Sequence, residues 1–211
     1  MNDGFIKPLF IQRLGAFILD SMLIALLVSL IGGFFVDQKS INKIQEDMVQ
    51  IQEKYINKDI STKTYLAESL SLSFQSAQKQ GIVTLISIFL SIMYFIVYQF
   101  YNKGQTLGKK VFKIKVAKYG SGELTINSMI FRSLIINSIF VDMVIFAFVA
   151  ISNFNMYRYG GMVFRGIDYF VSFTSLFMIM FSKSGRGIHD YIAGTIVVRA
   201  DGVKERELCE S

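Results

Sequence analysis

One run, Gln12–Val36 (QRLGAFILDSMLIALLVSLIGGFFV), limits what this chain can fold into more than any other stretch. As a helix rising about 1.5 Å per residue, Leu14–Val36 is long enough to cross a hydrocarbon layer of about 30 Å. Yet Arg13 enters the run and Asp20 interrupts it. A carboxylate at the centre of such a helix costs about 2.5–3.5 kcal/mol on insertion scales. Arg13 and Asp20 lie about two turns apart on one helix face, which Phe17, Ile24 and Ile31 continue. Two readings of Asp20 stand side by side. It is either a packing residue satisfied by a neighbouring helix, or part of a proton, ion or ligand site.

The rest of the chain repeats the membrane pattern. Of 211 residues, 52% are hydrophobic and only 18% charged, and the charges fall mostly between apolar runs. That composition excludes an ordinary soluble domain. The net charge of +6 does not point to nucleic acid, because the lysines flank apolar segments as juxtamembrane charges facing anionic lipid do. The single cysteine, Cys209, allows no disulfide within the chain and reads as a free thiol. The N-terminal run is too long for the core of a cleavable signal and is expected to remain as an anchor.

After residues 1–36 comes a polar insertion, 37–80, in which six lysines balance six acids. Ile41, Ile44, Met48, Ile51 and Tyr55 recur at spacings of three and four, an amphipathic helical stripe, and Leu66, Leu70 and Phe74 predict a second. Gly81–Phe100 reads as the second membrane helix, with Tyr94, Tyr98 and Tyr101 as an interfacial belt. Residues 102–125 hold six lysines against one glutamate and alternate with period two around Val111–Val116, which predicts a basic loop with a short β-ribbon. Ile126–Ile151 reads as the third membrane helix, carrying Arg132, Asn137 and Asp142, and a break at Ser152–Tyr159 follows. The fourth, Gly161–Phe181, sets Arg165, Asp168, Ser172 and Ser175 on one face. In the tail, 182–211, Thr195–Arg199 has strand character and could join the ribbon.

The expected fold is therefore an all-α integral membrane protein of the cell membrane, a four-helix bundle with a small β-ribbon. The basic second loop places the ribbon and both termini in the cytoplasm and residues 37–80 outside. Within the bundle, Asp20, Arg132, Asp142, Arg165 and Asp168 cannot all be buried unpaired, so they should pair, neutralise or contact water. Arg165, Ser172 and Arg132 are the partners expected for Asp20. Gly104-Gln-Thr-Leu-Gly108-Lys109 is one residue too short between its glycines for a phosphate loop, and Lys110 stands where a magnesium-binding hydroxyl is needed. His189-Asp190 is too sparse for a metal site and reads as a structural hydrogen bond or a proton sensor. Neither metal nor cofactor is expected. No nucleophile, base and orienter are grouped, which argues against an enzyme.

Three patches together resemble the RDD family of multi-pass bacterial membrane proteins. They are Arg13-Leu-Gly-Ala-Phe-Ile-Leu-Asp20; Gly104-Gln-Thr-Leu-Gly108-Lys109 with Lys113-Ile-Lys-Val116 and Phe131-Arg132-Ser-Leu134; and His189-Asp190 with Ala193-Gly-Thr195-Ile-Val-Val198. The resemblance spans about residues 13–198 and implies one membrane domain. It makes Arg13, Asp20 and Asp190 the name-giving arginine and aspartates. It also implies a role in transport, with cation/proton exchange for some members. Asp142 and Asp168 lie outside that set, and the 37–80 insertion is longer than compact members need. Asp20, Asp168 and Asp142 would then carry protons or cations, with Arg13 and Arg132 balancing their charge. The other reading is a scaffold or accessory subunit that recruits a partner through the 37–80 helices or the ribbon. Four helices are few for a transporter acting alone, so a homo-oligomer or a larger membrane complex is expected around it. The ligand is not readable from the residues.

Overall fold

The computed structural model describes residues 6–120 and 122–200. Cys209 and the charged C-terminal residues lie outside the described residues. The elements in chain order are α1 (Phe10–Gly32), α2 (Gln38–Ile56), α3 (Thr62–Lys79), α4 (Gly81–Tyr101), α5 (Leu107–Val111), β1 (Ile114–Lys118), α6 (Ile126–Ile136), α7 (Ile139–Ala150), α8 (Met156–Phe181), α9 (Ile188–Ala193) and β2 (Thr195–Arg199). Among the described residues α1, α4 and α8 are long and apolar enough to cross a membrane. The chain is thus a mostly helical membrane protein with a two-stranded sheet.

Three expectations need correction. The third membrane helix is not continuous, since α6 and α7 meet at a bend of 65° and count as a span only if taken together. Asn137 closes α6 through its N–H to the Ser133 carbonyl (3.2 Å), and Ser138 then takes φ +54°, left-handed backbone that a helix cannot contain. The Ser138 hydroxyl donates to Asp168 Oδ2 at 2.8 Å, which holds the bend in place. The predicted break at Ser152–Tyr159 is shorter than expected, because a π-helical turn at Met156–Gly160 extends α8 backwards. The β-ribbon is not local to residues 102–125 either. β1 pairs antiparallel with β2, Val116 opposite Val197 and Lys118 opposite Thr195.

The chain divides into two compact units. The first gathers the described parts of Met1–Leu27, Phe89–Phe140 and Ile167–Ser211. Its core is Ala16, Ile96, Ile114, Val116, Met129 and Val197, so α1, α4, α6 and both strands bury apolar side chains together. Inside α4, Met93–Tyr98 is a π-helical turn, an insertion that re-aims side chains and tends to mark functional sites.

The second unit comprises Val28–Ile88 and Val141–Gly166. Asp37 caps α2 by accepting the Ser40 N–H (3.3 Å), and Ser61 caps α3 by accepting the Thr64 N–H (3.2 Å). Ile41, Ile44 and Phe74 are buried, whereas Leu66 is exposed. The Tyr55 and Tyr65 rings stack across the pair with centroids 4.5 Å apart, and Phe74 packs on Phe154 and Tyr157. Gly32 approaches Val83 so closely that a Cβ would lie 3.0 Å from its Cγ1, which explains the glycine at the end of α1.

Candidate functional site

Of the buried carboxylates in the first unit, Asp20 and Asp190 are each gripped by several segments far apart in sequence. Asp20, on α1, is 2% exposed. Its Oδ1 accepts the Tyr94 hydroxyl (2.6 Å) and the Gly108 N–H (2.8 Å), and its Oδ2 accepts the Thr106 hydroxyl (2.5 Å). Thr106 also caps α5, its Oγ1 accepting the Lys109 N–H at 3.3 Å. Asp20 therefore pins the loop after α4 onto α1. Its partners are not the expected Arg165, Ser172 and Arg132, because the loop folds inward and brings a backbone N–H and the Thr106 hydroxyl, and α4 supplies the Tyr94 hydroxyl. Tyr94, expected in an interfacial belt, sits on the π turn of α4 and reaches inward instead.

The glycines of this loop have physical reasons. A Cβ on Gly108 would run into the Ala16 carbonyl and lie 2.8 Å from Asp20 Oδ1. Gly104 has φ +81°, and a Cβ there would meet the Val116 carbonyl. The Gly104 carbonyl accepts both the Val116 N–H (3.0 Å) and the Gln99 side chain (3.1 Å), fastening α4 to β1.

Asp190, on α9, has no exposed surface. It forms an ion pair with Arg132 of α6, and its Oδ2 lies 3.8 Å from Arg13 of α1. Thr195 donates its hydroxyl to Oδ1 (3.1 Å) and Gly187 its N–H to Oδ2 (3.3 Å). Arg13 donates further to the carbonyls of Gly185 (2.6 Å) and Val197 (3.0 Å). Arg186 donates to the carbonyls of Thr195 and Asp190 while its guanidinium lies 4.0 and 4.1 Å from the ring centres of Tyr119 and Tyr191. Tail and helices are thereby locked together through one carboxylate.

His189 is 3% exposed and shares a 2.8 Å hydrogen bond between its Nδ1 and the Ser175 hydroxyl, which also accepts the Ile188 N–H at 3.0 Å. A neutral ring with its proton on Nε2, 3.5 Å from Asp190 Oδ2, satisfies all of these groups. Burial, and then the charges of Arg132, Arg13 and Lys109, hold its pKa well below the usual histidine value.

Arg13, Asp20, Lys109, Arg132 and His189 line one cavity of about 220 Å³, together with Gln99, Ser133, Asn137, Ser172, Ser175 and an apolar majority. Lys109 Nζ makes no hydrogen bond to the described residues, and Arg13 Nε is buried without a partner. Burial first, and the Arg132 charge second, bring the Lys109 ammonium down to about 7 against the opposing pull of Asp20.

The remaining sequence candidates lie elsewhere. Asp168 accepts the Ser138 hydroxyl as described, and Arg165 donates to Asp142 Oδ1 at 2.7 Å in the second unit, both side chains more than a third exposed. Three members of the polar stripe of α8, Arg165, Asp168 and Ser175, thus have hydrogen-bond partners within the protein. Sequence reasoning missed Tyr94, Thr106 and Arg186; only Thr106 carried a local signal, a capping residue just before a helix. Among the described residues, no three His, Cys, Asp or Glu side chains gather to hold a metal ion.

A model described as the RDD family matches residues 7–194, which include Asp20, Asp190 and every residue that lines the cavity except Val197. No curated protein and no solved structure matches the chain.

Proposed function

The chain belongs to the RDD family, and on that premise we propose that it is a membrane transport protein, or a subunit of one, whose solute site is the cavity of the first unit. The observation that carries this reading is the convergence of Arg13, Asp20, Lys109, Arg132 and His189 on one space. Clamping the fold requires the pairs at Asp20 and Asp190. It does not require an ammonium at the cavity wall with no hydrogen-bond partner among the described residues, and even partial burial of such a charge is costly. A solute that the site binds offsets that cost. The six lysines of residues 102–125 favour a cytoplasmic position for the loop that carries Lys109.

Cation-for-proton exchange requires a carboxylate that can change partners, and Asp20 is the one that lines the cavity. Its three short hydrogen bonds make it a better fastener than a carrier. Asp142 and Asp168 are further from that role, since neither lines the cavity. The scaffold reading draws on the α2–α3 pair, a self-packed helical hairpin with an exposed, charge-balanced surface.

The test is made in phosphatidylcholine proteoliposomes given gradients of Na⁺, K⁺, inorganic phosphate or decyl phosphate in turn. Protein-dependent movement of at least one of these, cut tenfold or more by Ser172→Trp at the cavity, supports the transport reading. Movement of none, or equal movement in Ser172→Trp, overturns it and leaves the scaffold. Loss of Na⁺ or K⁺ movement in Asp20→Asn, with its fold intact, would instead establish exchange at that carboxylate.

A further inference from the structure

We infer that the cavity takes an anionic amphiphile, its phosphate- or carboxylate-type headgroup against Arg13, Lys109 and Arg132 and its apolar chain leaving between α1 and α8. This deepens the transport reading and rests on the cavity being the solute site. The charges come first. Arg13, Lys109 and Arg132 face Asp20 and Asp190, three basic groups against two carboxylates, so a protonated Lys109 leaves an excess positive charge in a buried space. An uncompensated buried charge is expensive, and a cation entering this site would add to it. An anion would remove it.

The donors agree with that sign. Asp190 takes the Arg132 ion pair, and Asp20 is filled by Tyr94, Thr106 and Gly108. Lys109 Nζ and Arg13 Nε are left with donor capacity and no acceptor among the described residues. Acidic oxygens are the groups that guanidinium and ammonium hold best.

The walls call for a second, apolar part. Most of the lining is aliphatic or aromatic. Leu14 and Phe17 of α1 and Leu176 of α8 both line the cavity and stand 38–42% exposed. They belong to helices long and apolar enough to cross a membrane, so the opening they frame faces acyl chains. Free phosphate would leave those walls bare, and an alcohol would leave the cations unpaired. A headgroup acid on a hydrocarbon chain matches both.

The experiment uses the full chain in phosphatidylcholine nanodiscs, with decyl phosphate, decanol and inorganic phosphate as probes. Native mass spectrometry counts bound probe, and thermal unfolding follows stabilisation. The expected result is one decyl phosphate per chain, with half-saturation at least tenfold below that of inorganic phosphate and no saturable effect of decanol. Lys109→Gln should weaken decyl phosphate tenfold or more. Ser172→Trp, at an exposed position of α8, should abolish binding without lowering the unfolding temperature of the free protein. Inorganic phosphate binding as tightly as decyl phosphate overturns the amphiphile in favour of a free-anion site. Decanol binding as tightly overturns the role of charge, and wild-type binding in Ser172→Trp overturns the site itself, even if Lys109→Gln fails to fold. Binding of decyl phosphate without its movement across proteoliposomes would keep this inference and sink the transport reading. Na⁺ movement without decyl phosphate binding would do the reverse.

Discussion

Asp20 Oδ1 accepts the N–H of Gly108, 88 residues further along the chain, at 2.8 Å. The bond closes a loop that no local signal could have closed, and it makes two positions distant in sequence interdependent. Asp20→Ala would strand the Gly108 N–H and the Tyr94 and Thr106 hydroxyls without an acceptor, at about 1–3 kcal/mol for each buried donor. Asp20→Asn keeps one carbonyl oxygen for Oδ1 and presents an amide N–H to Thr106, whose hydroxyl can turn to accept it. The expected order of thermal stability in detergent is therefore wild type, then Asn, then Ala. Equal losses in the two variants would contradict these hydrogen bonds.

Gly108→Ala should be as damaging as Asp20→Ala, because the added methyl meets the Ala16 carbonyl backbone as well as the carboxylate. Backbone on both sides cannot give way as a side chain can. In the Asp20→Ala background the carboxylate obstacle is gone but the carbonyl remains, so the double variant should regain only part of the loss. Unfolding temperatures of the single and double variants check this.

The Arg132–Asp190 pair is buried on both sides, with side-chain exposures of 4% and 0%. Removing one partner of such a pair typically costs about 3–5 kcal/mol, since the other is left as an unpaired charge. Arg132→Met and Asp190→Leu should each destabilise by that order. The double variant should lose clearly less than the sum, although Arg13, 3.8 Å from Asp190, will retain part of the penalty. Strict additivity in denaturant unfolding would mean that the two charges do not sense each other.

Much of the fold was legible because membrane helices are written as long apolar runs: α1, α4 and α8 each follow from one. The bend at Asn137–Ser138 was not, since neither residue breaks a helix by type; the cause is a tertiary hydrogen bond from Ser138 to Asp168. The ribbon was half legible. The alternation of β1 and the strand character of Thr195–Arg199 were visible, but the pairing joins segments far apart in sequence, while the Asp190 cluster holds the tail to α1 and α6. At the site, the charged residues announced themselves by being in the wrong solvent. Their neutral partners did not, because Tyr94 looks like any tyrosine near a helix end until the π turn aims it at Asp20.

The lone Cys209 offers a direct check of orientation. If the basic loop is cytoplasmic, as proposed, β2 lies on the same side because it pairs with β1, and a membrane-impermeant maleimide should label Cys209 in inside-out vesicles but not in intact cells. The converse pattern would invert the whole topology and put Lys109 on the outer side.

Lys109 and His189 should both make stability rise with pH, each over its own range. The fold holds Lys109 at about 7, below its usual 10.5, so the unfolded chain binds more protons between those values. Stability therefore rises with pH from about 7 towards 10.5 on account of this residue, by less than the limiting 1.4 kcal/mol per unit because the side chain keeps some solvent. His189 is likewise lowered, so its contribution is intact above 6.5 and is lost as pH falls below that value towards its folded pKa. Lys109→Met should flatten the alkaline rise, and His189→Gln should flatten the acid loss, each leaving the other limb in place. Decyl phosphate should also flatten the alkaline limb, because an anion beside Lys109 stabilises its charged form and returns its pKa towards the ordinary value. Unfolding temperatures from pH 5 to 10, with and without the probe, measure all three; a Lys109→Met curve that parallels wild type would remove the ammonium from the buried site.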